Sequence, residues 1–109
     1  MSGREIKKIV DELSYHIGIK RRLFVRIVSF RSKVASVSFV NGTLRLNRDF
    51  VRLSNTSLLR YIIIHELIHI KLGHHYHNDE FYREIKKYLD HDIARYDKQV
   101  LDLMMKINN

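Results

Sequence analysis

Apolar residues recur at helical spacing towards both ends of the chain and alternate in between. Ile6, Ile9, Val10, Leu13 and Ile17 share one face of a helix. Ser2 and Glu5 form a capping box at its start, and Gly18 ends it. Leu23, Val25 and Ile27 then alternate with Phe24, Arg26 and Val28, the period of a first strand, and Arg31-Ser32-Lys33 makes the turn. Ala35, Val37 and Phe39 alternate with Ser36 and Ser38. Asn41-Gly42 offers the two left-handed positions of a type I′ hairpin turn, and Thr43 to Asn47 returns as a third strand. The pattern predicts a small three-stranded antiparallel sheet with helices over one face, an α+β arrangement in a single domain over 1–109.

The next run is apolar almost all round. With Ser54, Asn55 or Thr56 as its cap and Gly73 at its end, only Arg60 and Lys71 mark a polar stripe on it, so this helix is buried on most sides. A last pattern, Phe81, Ile85, Tyr88, Leu89, Ile93, Tyr96, Val100, Leu103 and Met104, keeps helical spacing nearly to the end. A straight helix from Asp79 to Ile107 is about 43 Å long, longer than the roughly 30 to 35 Å of a compact domain this size. Either it breaks near Asp90-His91-Asp92 and folds back, or its last third docks on a second copy. The apolar surface of Leu101, Leu103, Met104 and Met105 favours the second, a homodimer that exchanges helices.

The chemistry sits on the buried helix. His65-Glu66-Leu67-Ile68-His69 puts two imidazoles one turn apart on the same face, where they take adjacent corners of a zinc tetrahedron. Glu66 lies one step round, where a carboxylate takes a proton from a water that the metal has acidified. Two His and a Glu on a buried helix need partners or a metal, because unpaired buried charge costs several kcal/mol. With no Cys in the chain, any metal is held by His and carboxylate.

A catalytic zinc takes three protein ligands, so the third comes from the stretch after Gly73. His77 precedes a new helix that Phe81 and Ile85 anchor, which fixes its ring. His74 and His75 lie in the turn itself, and His75 is the alternative. Glu80 and Glu84 read either as carboxylates that orient a ligand His or as surface acids. His16 reads as a helix end.

Composition is that of a globular protein, 45% hydrophobic and 29% charged. The absence of Pro and Cys, with much Ile, Lys and Tyr, suits a thermophile. The start is unlike a signal peptide and no apolar run is long enough to span a membrane, so the expected location is the cytoplasm. The net charge of +8 is concentrated: residues 20–60 hold ten Lys or Arg against Asp49 alone. Such a surface binds nucleic acid or steers acidic substrates. No nucleic-acid motif and no interleaved aromatic platform accompanies it, so a solvated face is the plainer reading.

His65-Glu66-Leu67-Ile68-His69, followed by His77-Asn78-Asp79-Glu80-Phe81-Tyr82 and Lys87-Tyr88-Leu89, resembles the His-Glu-x-x-His and His-x-x-x-Phe pattern of SprT-like and YgjP-like metallopeptidases. The chain is also similar to the minigluzincins, minimal zinc peptidases. The connection between His69 and His77 is longer than in the YgjP-like pattern, which keeps His75 in play. The resemblance implies a cleft between sheet and helix, peptide-bond hydrolysis with Glu66 as base, His65, His69 and His77 on zinc, and a Tyr or His that steadies the oxyanion, for which Tyr76, His75 and Tyr82 are candidates. It also implies latency, with the segment from about Ile93 restraining the cleft. A peptide or protein substrate is expected to lie extended along a sheet edge. The competing reading is a protein associated with nucleic acid, its metal structural or its peptidase acting at DNA as the SprT resemblance allows.

Overall fold

The computed structural model describes all residues, 1–109. Helix α1 (Gly3–Ile17) is followed by strands β1 (Phe24–Val28), β2 (Ala35–Ser38) and β3 (Thr43–Asn47). Helices α2 (Arg48–Leu53), α3 (Thr56–Leu72), α4 (Asp79–Lys86) and α5 (Ile93–Ile107) complete the chain. The capping box of α1 is present in both halves: the Glu5 N–H donates to Ser2 Oγ at 3.2 Å and the Ser2 N–H to the Glu5 carboxylate at 3.1 Å. Gly18, at φ 93°, closes the helix by donating its N–H to the carbonyls of Ser14 and Tyr15. Ile6, Val10, Leu13 and Ile17 go into the core.

The sheet is mixed rather than antiparallel. Its order is β1-β3-β2, with β2 antiparallel and β1 parallel to β3. Alternation tells which residues share a face and says nothing of which strand sits in the middle. The link between β1 and β2, residues 29–34, is long enough to leave a strand's width open, and β3 enters it with Leu44 and Leu46 fully buried. The hairpin also departs from the type I′ expectation. Only Gly42 is left-handed, at φ 67°, because Asn41 uses its side chain instead, accepting from the Thr43 N–H at 3.1 Å. A Cβ at position 42 would lie 2.9 Å from the Arg22 carbonyl oxygen, so Gly is required there for space as well as conformation.

Helix α2 is not foreseen by the apolar pattern, since six residues are fewer than two turns. Asn47 makes it: buried at the end of β3, its Oδ1 accepts from the N–H groups of Asp49 and Phe50 while its Nδ2 donates to the Lys33 carbonyl at 2.8 Å. One side chain thus ends a strand, starts a helix and pins the β1–β2 loop. Such a cap is worth about 1 kcal/mol.

Helix α3 runs through the middle, capped by Asn55 and ended by Gly73 at φ 75°, with nine residues buried. It packs against α1, α4, α5 and β2, which accounts for its nearly all-apolar circumference. The C-terminal pattern breaks between Lys86 and Ile93, the first of the two arrangements that its length left open, in a molecule 37 × 28 × 22 Å across. Within one chain α5 folds back on α2 and α3, burying Tyr96 and Met104. No helix is long and apolar enough to cross a membrane.

Candidate active site

His65 and His69 project from the last turns of α3, their ring centroids 5.0 Å apart. Gly73 then turns the chain back, and His77, just before the Asn78 cap of α4, meets both: its Nε2 lies 3.1 Å from that of His65 and 3.2 Å from that of His69. The three donor nitrogens lie within 4.8 Å of one another. His75 is not among them; its ring stacks on Phe39 of the hairpin at 4.3 Å, on the wall of the same cleft. His16 lies against Tyr88, outside the cluster.

The protonation pattern follows from one contact. The Nδ1 of His69 faces the carbonyl oxygen of His74 at 3.0 Å, and a carbonyl only accepts, so Nδ1 carries the proton and Nε2 presents a lone pair to the cluster. Burial, together with the neighbouring imidazoles, pushes His65 down to about 3 and His69 down to about 4, so both rings are neutral at pH 7. Three imidazole nitrogens converging in this way form a socket for a cation, and an all-nitrogen set of three fits zinc with a position left open.

Phe81 is the floor of the socket. It is fully buried, with its ring 5.1, 4.6 and 4.9 Å from those of His65, His69 and His77. The supporting role foreseen for Glu80 and Glu84 divides. Glu80 reaches the ring of His74 at 3.1 Å, and His74 Nδ1 accepts from the Tyr76 N–H, so Glu80 steadies the residue whose carbonyl orients His69. Glu84 has no part in this; it pairs with Lys71 and Lys87. The carbonyl of His74 is a functional group the sequence reading missed, and only the general rule that a ligand His has a partner on its other nitrogen would have asked for it.

Glu66, half-buried, faces the same cleft. Burial pushes its carboxyl up to about 7, with the Lys33 ammonium pulling the other way, and a cation in the socket acts in the direction of Lys33. The cleft, of about 760 Å³, has three walls: the histidine face of α3, residues 32–37 of β2 and the loop before it, and Asp97, Val100, Leu101 and Met104 of α5. Tyr61, one turn before His65, stacks on Tyr96 at 4.7 Å and donates its hydroxyl to Asp97, which ties α5 to α3 across this space.

The YgjP-like metallopeptidase domain matches residues 3–102. Among relatives, the uncharacterised protein MJ0123 of Methanocaldococcus jannaschii is 39% identical over 85 residues, covering 78% of this chain and 77% of its own. The uncharacterised protein aq_aa15 of Aquifex aeolicus is 32% identical over 80 residues, covering 73% and 72%. Two solved metallopeptidase zymogens have the same fold. Jannalysin of Methanocaldococcus jannaschii superposes with a TM-score of 0.79 at 35% identity, covering 94% of this chain and 96% of that one. Abylysin of Pyrococcus abyssi gives 0.80 at 28% identity, covering 89% and 92%. Fold, histidine cluster and extent of similarity agree, and the chain belongs to the YgjP-like metallopeptidase family.

Proposed function

We propose that this protein is a zinc-dependent endopeptidase with His65, His69 and His77 as ligands and Glu66 as general base, made as a latent form. The observation that carries the reading is the convergence of three imidazole nitrogens beside a half-buried carboxylate in a cleft. Zinc held there supplies Lewis acidity, polarising a carbonyl oxygen and making a water acidic near neutral pH.

The protein's own groups do the rest. β2 is an outer strand of the sheet and lines the cleft, so an extended peptide pairs with its free edge and lies across the histidine face of α3. Glu66 takes a proton from the attacking water, and as the carbon–nitrogen bond breaks it passes that proton to the leaving amine. Of the three candidates for the oxyanion, His75 alone lines the cleft; Tyr76 and Tyr82 are exposed elsewhere. We assign His75 to donate a hydrogen bond to the carbonyl oxygen as it gains charge, its ring held by the stack on Phe39.

Latency is assigned to α5, which occupies one wall of the cleft and whose Leu101 and Met105 are more than half exposed. The apolar surface left at Leu101 and Met105 suits a second copy, and a homodimer through this helix, exchanged between the copies, belongs to the proposal. Chelation and restoration test the reading: with the α5 tie released by Asp97→Ala, turnover of casein or a fluorogenic peptide should vanish with a strong chelator and return with zinc. Turnover indifferent to chelation would sink it.

A further inference from the structure

The helices cover only one face of the sheet. Val25, Ile27, Val37, Leu44 and Leu46 point into the core, and the opposite face carries Phe24, Arg26 and Arg45 into solvent. We propose that this outer face binds single-stranded nucleic acid, independently of the peptidase cleft.

The outer face carries a repulsion. Arg26 and Arg45 are opposite one another in the β1–β3 register, on strands about 4.8 Å apart. Like charges so placed on one face of a sheet destabilise it. The five ion pairs of the molecule all lie elsewhere, so no acid relieves Arg26, Arg45 or the nearby Arg22. Asp49, the one acid of residues 20–60, is taken by Arg52 at 3.4 Å. A guanidinium pair that the fold neither needs nor neutralises is suited to adjacent phosphates.

The second observation is the aromatic that the linear pattern did not reveal. Phe24 is 46% exposed, on the same face as Arg26, and the guanidinium of Arg22 lies 5.3 Å from its ring centroid. A large exposed ring with the Arg22 guanidinium over it and Arg26 on the same sheet face offers a base both an aromatic and a guanidinium plane to stack on, with the cations near its backbone. Stacking requires a base free of its duplex, which selects the single strand. An acidic protein satisfies the arginines but leaves the ring unused.

The test is fluorescence anisotropy with the full chain and a labelled oligothymidylate of about twelve nucleotides, across a salt series. The wild type should bind, with affinity falling steeply with salt. Replacing both arginines (Arg26→Ser with Arg45→Ser) should reduce the log–log salt slope by about 1.4, at about 0.7 for each phosphate no longer neutralised. Phe24→Leu should weaken binding about fivefold or more and leave the slope unchanged. Arg4→Ser with Lys8→Ser on α1 removes the same charge and should change neither. Thermal midpoints of the arginine variants should hold or rise, because a repulsion is relieved; Phe24→Leu keeps the charge and tests the site even if they fall. No binding at low salt, an equal loss in the α1 pair, or duplex bound as well with Phe24→Leu silent would each overturn the proposal. Polyglutamate held with the same dependence on Arg26 and Arg45 would overturn it in favour of an acidic protein.

Discussion

His69 has its two nitrogens in different company, one on a backbone carbonyl and one in the socket, and this division sets its chemistry. His77 and His75, two residues apart, differ in the same way: the first joins the cluster and the second is held off it by Phe39. Hence the two substitutions should fail differently. His77→Ala should weaken zinc binding by more than about a hundredfold, beyond what loss of an outer partner costs. His75→Ala should keep its zinc and lower kcat by about a hundredfold, the effect of losing one oxyanion donor. Metal content and turnover of the two variants decide the assignment. The ligand pair and Glu66 are legible in the sequence because helical periodicity fixes side chains one turn apart. His77 is legible through Gly73 and the anchor at Phe81. The carbonyl of His74 is not, because a backbone partner leaves no mark on the side-chain pattern.

At the scale of elements, periodicity identified α1, α3 and all three strands, whereas short α2 and the strand order depend on contacts that no local pattern encodes. Lys71 of α3 and Lys87 both reach Glu84 of α4, holding its carboxyl down to about 2. A carboxyl lowered on folding stabilises the fold above its ordinary value of 4.5, and that contribution drains away as pH falls towards 2. The thermal midpoint of the wild type should therefore drop more across that window than that of Glu84→Gln. Parallel curves would show that the pair adds nothing to stability. Helix α5 is the element proposed to hold the enzyme closed, with the Tyr61 hydroxyl bonded to Asp97 as its tie. Asp97→Ala should populate the open cleft about tenfold more, the worth of one hydrogen bond to a charged group, and turnover should rise accordingly. Truncation after Asp92 should raise it further and, if the helix is exchanged, convert a sedimenting dimer into a monomer. Turnover unchanged in both would remove α5 from the account of latency.

The molecule as a whole is a helix layer under an open-faced sheet, with chemistry on the one side and uncompensated arginines on the other. Chain length and the extent of a small domain left a choice between a break after α4 and a helix projecting onto a second copy; the break is present, where Asp90-His91-Asp92 interrupt good helix formers. The charge excess was countable in the sequence, but that Arg26 and Arg45 stand side by side on the outer sheet face required the register. Everything proposed for the cleft rests on metal and base being separate offices held by adjacent residues. The most direct measurement is zinc content and peptide turnover of Glu66→Gln beside the wild type, each also with Asp97→Ala so that latency does not mask the difference. Equal zinc with turnover lower by about 10² or more is the predicted result; loss of zinc from the Gln variant, or turnover that survives in it, would contradict the account.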